Sequence, residues 1–335
     1  MESNEETLPI KSDGNMNQTI SSKNLSFWIQ QLPVKILQAK KRIEGSILKT
    51  PLIFSLKLSS MGDNCKVYLK LENEQITGSF KLRGAFNKML TLIPQDKKAH
   101  ACRTLGVPLH VFCRKDVDEG KKSALMEMGV KVTLTGTDCV DAENAARMYS
   151  KENQIPYVSP YNDKEIIAGQ GTIGVEILEE QGDIDVCLVP VGGGGLISGI
   201  ARYLKQMSPN IKVIGCQPEN SKVMYKCVKA NKIIFEESEE TLSDGTVGGI
   251  ESGSITFDLC RDFVDDWIMV SEEQIGRAIV FMLEEHRKVV EGAAGVAIGA
   301  YMNNLSKFTK KKVAIVCCGA NISADVLRRL LDMYQ

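Results

Sequence analysis

Histidine is scarce. His100, His110 and His286 are the three in 335 residues, too few and too scattered for a His-based triad or a His-rich metal centre. The ten cysteines include no CxxC pair and no Cys/His zinc spacing. Several lie in apolar runs, such as Cys113 in LHVFC, Cys187 in VCLVP, Cys216 in VIGC and Cys317 in AIVCC, where cysteine acts as a small buried hydrophobe. Without a secretory signal, so many thiols fit a reducing compartment, and the expected location is cytoplasmic. No apolar run approaches the roughly 20 residues that cross a bilayer. Charge of one sign is lacking as well: 41 basic against 42 acidic residues leave a formal net charge of −1. Neither nucleic acid nor a membrane surface is an expected partner.

What is present is an alternation. Residues 67–72, 107–112, 130–134, 157–158, 186–191, 212–217 and 312–318 read as strands. Helical stretches lie between them, among them 33–43, 84–93, 196–205 and a helix opened by Ser271 with Glu272 and Glu273 in its first turn. Such a pattern predicts α/β architecture with mostly parallel strands. The length suits two domains sharing one cleft. Residues 1–25 are polar, rich in Asn, Ser and Glu, and are expected to be disordered.

Two motifs carry chemistry. The first is a strand followed by Gly192-Gly193-Gly194-Gly195-Leu196-Ile197-Ser198-Gly199 and then a helix. Such a loop gathers backbone N–H groups and a helix N-terminus around one anion, and side chains there would block its approach. No GK[ST] follows, so this is not a Walker loop. No acidic residue ends the next strand, which closes on Gln217, so a dinucleotide fingerprint does not fit either. A plain flexible turn is a poor account of four glycines between a buried strand and a helix. The second motif is Lys81, held between Phe80 and Leu82 after the turn Thr77-Gly78. A lysine kept partly desolvated by apolar neighbours at the start of a helix has a lowered pKa and a nucleophilic amine. That is what a residue needs if it is to carry an aldehyde as an imine. Amine and phosphate cradle together are the two halves of a pyridoxal-phosphate site.

Ser79-Phe80-Lys81-Leu82-Arg83-Gly84-Ala85, Ala168-Gly169-Gln170-Gly171-Thr172, the four glycines and Cys318-Gly319-Ala320-Asn321 occur in that order. Together they resemble the serine/threonine dehydratase family of pyridoxal-phosphate enzymes, which includes serine racemase. The resemblance spans roughly residues 30–331. It implies a tryptophan-synthase-β-like fold of two α/β domains, each a mostly parallel sheet flanked by helices. The expected division is 26–70 with 171–335 as the large domain and 71–170 as the small one. It implies that Lys81 holds the cofactor and later takes the substrate α-proton, and that Gly192, Gly193, Gly194, Gly195 and Leu196 hold the phosphate. It also implies that Phe80 packs at the ring, that Cys318 faces the pyridine nitrogen as a neutral partner, and that Glu291 lines the site. A homodimer acting on a small amino acid is implied, with β-elimination to a 2-oxo acid and ammonia as the reaction.

The family pattern also marks what this chain lacks. Metal-binding members carry acidic residues where this chain has Gln217 and Val223, so no divalent metal is expected there. The C-terminal regulatory domain of biosynthetic members is not expected, since the chain ends soon after Asn321. Between the lysine helix and the stretch 99–107, a strand of about 5–6 residues and a loop resembling Ser-Ser-Gly-Asn-His-Gly have no counterpart. In the family that loop binds the substrate carboxylate, and in racemases it supplies a second acid/base. Losing one preorganised donor of this kind costs about 3 kcal/mol, or roughly 10²–10³ in rate. The alternatives to a working ammonia-lyase are therefore an inactive protein of the same fold or, less well supported, a serine racemase. Against the racemase stands Tyr161, where that pattern has a smaller polar group.

Overall fold

A computed structural model describes residues 14–92, 109–115, 117, 119–127 and 129–334. In chain order the helices are α1 Gly14–Ile43, α2 Leu56–Met61, α3 Lys81–Leu92, α4 Glu119–Glu127, α5 Cys139–Asn153, α6 Lys164–Glu180, α7 Gly195–Met207, α8 Val223–Ala230, α9 Ile255–Phe263, α10 Glu272–His286, α11 Gly292–Met302 and α12 Ala324–Tyr334. The strands are β1 Leu52–Ser55, β2 Lys66–Leu71, β3 His110–Cys113, β4 Lys131–Leu134, β5 Val186–Pro190, β6 Lys212–Pro218, β7 Asp266–Val270 and β8 Lys312–Cys317.

Six strands form one sheet in the order β1-β2-β8-β5-β6-β7. Only β1 runs antiparallel to its neighbour. A strand buried on both faces needs apolar residues throughout rather than alternation. Strand β5 obeys this, with Val186, Cys187, Leu188, Val189 and Pro190 all buried, and so does β8 from Val313 to its end. Cys187, Cys216 and Cys317 are fully buried among these strands as expected, whereas Cys113 is only half-buried. A second, parallel sheet pairs β3 with β4.

Helix α6 lies between α3 and α7 through unusually close contacts. A Cβ at Gly169 would stand 2.6 Å from the Cα of Gly84, and one at Gly199 would stand 2.6 Å from the N of Gly171. Helix backbones approach this closely only where side chains are missing. The AGQGT stretch is thus a packing seam.

Three expectations need correction. The tail expected to be disordered is helical from Gly14 onward, while residues 1–13 lie outside the described residues. The reason is visible downstream: Trp28, Leu32, Ile36, Ala39 and Ile43 bury one helical stripe, and no proline interrupts the helix before Pro33. Val34 and Leu37, apolar residues of the expected 33–43 helix, lie off that stripe and are about half exposed. Residues 157–158 form no strand. Pro156 and Pro160 bracket them, and proline cannot donate to a ladder. The stretch in which the family's strand and loop have no counterpart lies at residues 93–108, outside the described residues.

Candidate active site

The site is assembled where loops from four parts of the chain meet. Antiparallel pairing of 78–80 with 318–320 brings the lysine segment to the end of β8. Phe80 N donates to Cys318 O at 3.0 Å, Ala320 N donates to Gly78 O at 2.9 Å, and Ser79 bridges Gly319. Helix α3 then begins at Lys81 itself. The positions 81, 85, 89 and 92 share one helical face, and Lys81, Ala85, Met89 and Leu92 line an open cavity of about 1770 Å³. Glu143 and Tyr149 of α5, together with Ile166 and Gln170 of α6, form other parts of its wall.

Sequence reasoning expects a partly desolvated lysine. The structure leaves Lys81 exposed to this cavity. Phe80 turns instead toward the main core, and the amine stands 4.8 Å from the centre of its ring. Among the described residues no carboxylate pairs with Lys81.

Cys318 is buried, and its thiol donates to Glu291 Oε1 at 3.6 Å. Burial pushes the thiol well above the ordinary cysteine range, the Glu291 carboxylate adds to this, and the Lys81 charge opposes it. Cys318 is therefore held as a neutral thiol. Glu291 is buried too, as the N-cap residue of α11. Its N–H donates to Gly319 O at 2.9 Å and its Oε2 accepts from Asn321 N at 3.2 Å. It braces the whole Cys318–Asn321 turn from behind.

The glycine loop crosses from β5 to α7. Gly194 has φ +87°, which an L side chain rarely adopts. A Cβ on Gly192 would meet the Thr246 backbone at 2.9 Å, and one on Gly193 would meet the Tyr161 ring at 2.5 Å. Thr256 Oγ1 fastens the loop by donating to Gly193 O at 2.6 Å. The N–H groups of Gly192, Gly193 and Gly194 have no acceptor among the described residues. Unpaired N–H groups at a helix N-terminus, in a cradle that any side chain would fill, fit a phosphate. Leu196, just inside α7, is buried beneath them.

Sequence reasoning missed the residues behind this loop. The Tyr161 hydroxyl donates to Glu143 Oε2 at 3.1 Å and accepts from Glu251 N at 3.0 Å, and Arg147 pairs with Glu251. Burial, helped by the Glu251 charge, pushes the Glu143 carboxyl up to about 7, while the Tyr161 hydrogen bond and Arg147 pull the other way. No local signal marks these partners, since they are 18 to 104 positions apart. Gln217 is also accounted for: it donates to Val191 O at 3.1 Å and accepts from Tyr225 N at 2.8 Å. It joins β6 to the glycine loop and to α8.

Residues 43–319 match the family described as pyridoxal-phosphate dependent enzyme. The chain belongs to this family. The L-threonine ammonia-lyase of Thermotoga maritima is 36% identical over 312 residues, covering 89% of this chain and 77% of the relative. Among solved structures, the processed form of threonine deaminase isoform 2 from Solanum lycopersicum is similar with a TM-score of 0.80 and 29% identity. It covers 91% of this chain and 88% of that one. Serine racemase from Dictyostelium discoideum follows at a TM-score of 0.76 and 28% identity, covering 87% and 98%. The two-sheet α/β architecture is thus that of pyridoxal-phosphate enzymes of the serine/threonine dehydratase group. The residues of this site fit the cofactor: an amine at Lys81 and N–H groups at the glycine loop that have no partner among the described residues, and a neutral thiol at Cys318.

Proposed function

We propose that this chain is a pyridoxal-phosphate-dependent L-threonine and L-serine ammonia-lyase. The observation that carries the reading is that residues 78–80 pair with 318–320 at the end of β8 while the glycine loop leaves the same end of its parallel neighbour β5, in a chain so similar to an L-threonine ammonia-lyase. When bound, pyridoxal phosphate supplies an aldehyde that joins the substrate amine and a ring that acidifies the Cα–H bond. Lys81 would anchor that aldehyde, and its Nζ would be the base for the substrate α-proton. The N–H groups of Gly192, Gly193 and Gly194 would hold the phosphate. Phe80, half-buried against the main core, would flank the ring. The Cys318 thiol would be the neutral partner of the pyridine nitrogen, and Glu291 keeps that thiol in place. Water is lost across Cα–Cβ, and hydrolysis of the product imine gives 2-oxobutanoate or pyruvate with ammonia.

The division into a large part, 26–70 with 171–335, and a small part, 71–170, belongs to this reading. Strands β5 to β8 support the first and β3 and β4 the second, with α6 running across the boundary. A homodimer and a cytoplasmic location also belong to it. The nine cysteines among the described residues are free and buried or half-buried, which suits a reducing compartment. Among the described residues, no helix is long and apolar enough to cross a membrane.

A second reading is favoured by the sequence alone: a cofactor-binding protein with little turnover, because the family's carboxylate-binding loop has no counterpart. One assay separates the two. Cofactor-loaded protein is given L-threonine, L-serine and their D-forms, and 2-oxo acid and ammonia are measured together. Equimolar products from the L-substrates support the lyase. Interconversion of L- and D-serine without 2-oxo acid would point to a racemase, and no product at all to the second reading.

A further inference from the structure

Arg83 lies two positions beyond Lys81 and points the other way. On a helix, residues two apart differ by about 200°. Lys81 opens to the cavity, whereas Arg83 is fully buried. Its guanidinium forks onto two carboxylates. Nε and Nη2 reach Glu72 at 2.7 and 2.8 Å, and Nη1 and Nη2 reach Glu176 at 2.7 and 2.8 Å. Nη1 also donates to Thr172 Oγ1 at 3.1 Å and Nη2 to Thr50 Oγ1 at 3.3 Å. Lys70, equally buried, pairs with Glu176 at 2.6 Å. Lys70 also lies 3.7 Å from Glu180, which is partly exposed, so two buried cations meet two buried carboxylates with a third carboxylate at the rim. Burial alone would lower the Arg83 pKa, but Glu72 and Glu176 outweigh it and raise it.

A buried ion cluster is a weak source of net stability, because desolvation offsets most of the attraction. What it supplies is direction. Glu72 follows β2, Glu176 and Thr172 belong to α6, and Thr50 precedes β1. One side chain thus fixes the first turn of α3 against three separate segments. The adjacent residue is pinned as well: Gly84 N donates to Gln170 Oε1 at 3.1 Å, and a Cβ at Gly84 would meet Ile166 O at 2.8 Å.

We propose that Arg83 is a positioning residue for Lys81, and that the buried Arg83–Glu72–Glu176–Lys70 cluster aims the lysine amine at the cofactor aldehyde. The proposal rests on the reading of Lys81 as the cofactor lysine. Misplacement of a reacting group by about 1 Å can cost up to 10²-fold in rate. A displaced amine should therefore join the aldehyde slowly while the phosphate cradle, built on another part of the chain, still binds.

The test uses full-length protein stripped of cofactor, with pyridoxal 5′-phosphate as the probe. Borohydride quenching at timed intervals, followed by peptide mass analysis, gives the rate at which the probe becomes fixed on Lys81. Equilibrium dialysis in the presence of inorganic phosphate as competitor gives the affinity of the phosphate cradle. Arg83→Lys keeps the charge and loses the fork. It should slow fixation about tenfold or more, with cradle affinity within about threefold of wild type. Thr172→Val removes the Oγ1 contact to Arg83 and the Oγ1 bond to Gly169 O, leaves both carboxylates on Arg83 in place, and should slow fixation by a few-fold. It carries the test if Arg83→Lys fails to give a folded circular-dichroism spectrum. Wild-type fixation rates in the folded variants would overturn the proposal. So would equal losses of fixation and cradle affinity, which would make the cluster merely structural. Wild-type protein labelled elsewhere than at Lys81 would overturn the reading beneath it instead.

Discussion

The six-stranded sheet and the two-stranded sheet of this chain are built to different standards. Every residue of β5 is buried, and the loop it feeds is fastened by Thr256, by the Tyr161 ring and by the Thr246 backbone. Every residue of β3, by contrast, is only half-buried, and β4 is half-buried with an exposed first residue. His110, Val111, Phe112 and Cys113 all line the wide cavity. The groups that would hold a phosphate, a ring nitrogen and an aldehyde stand on or beside the first, close-packed sheet. The cavity wall that would face a substrate on the proposed reading belongs to the second. On that reading, cofactor binding and substrate handling rest on regions of unequal packing, and the two can be broken separately.

The largest expected effect removes the shared element. Lys81→Ala should lower 2-oxo acid formation by about 10³-fold or more, with unfolding temperature little changed because the residue is exposed. Steady-state kinetics and calorimetry check both halves of that statement. The packing contrast itself predicts unequal losses. Leu188→Ala in β5 should cost about 2–5 kcal/mol of stability, whereas Phe112→Ala in β3 should cost about half as much. Denaturant titration would contradict the contrast if the two costs were alike. Gly193→Val places atoms where the Tyr161 ring stands, 2.5 Å from the new Cβ. It should weaken pyridoxal-phosphate binding by roughly 30-fold, about 2 kcal/mol, measured by equilibrium dialysis.

The smallest effect concerns Glu143, which ties α5 to the glycine-loop side through Tyr161. Its folded pKa is raised to about 7, first by burial and then by Glu251. A raised carboxyl favours the folded state below the ordinary carboxylate range, and that advantage is lost as pH rises through about 7. Glu143→Gln should therefore gain on wild type between pH 5 and 8, by on the order of 1 kcal/mol at the upper end. A constant difference in unfolding free energy across that window would refute the assignment.

The α/β class, the strands 186–191 and 312–318 and the helix capped by Ser271 were legible because each is a local pattern. Buried parallel strands read as continuous apolar runs, and Ser271 forms its capping box with Gln274. Lys81 and the glycine loop were legible for the same reason. What was not legible depends on distance along the chain. That Lys81 would stand exposed, with Phe80 half-buried against the core, follows from pairing with residues 318–320. Tyr161 behind Gly193, Glu251 beside Tyr161 and Glu176 on Arg83 are partners 32 to 93 positions apart. The helical start of α1 also escaped local reading, because its support comes from residues further down the same helix. Arg83 is the instructive case. The motif places it beside the lysine, but only the fold reveals that it faces four buried partners.

The most direct test of the central claim is the near-visible absorption of the protein with pyridoxal phosphate, before and after L-threonine, in wild type and Lys81→Ala. The account predicts a band in wild type that changes on adding the amino acid, and no such band in the variant. A band that survives in Lys81→Ala would contradict it by placing the cofactor on another amine.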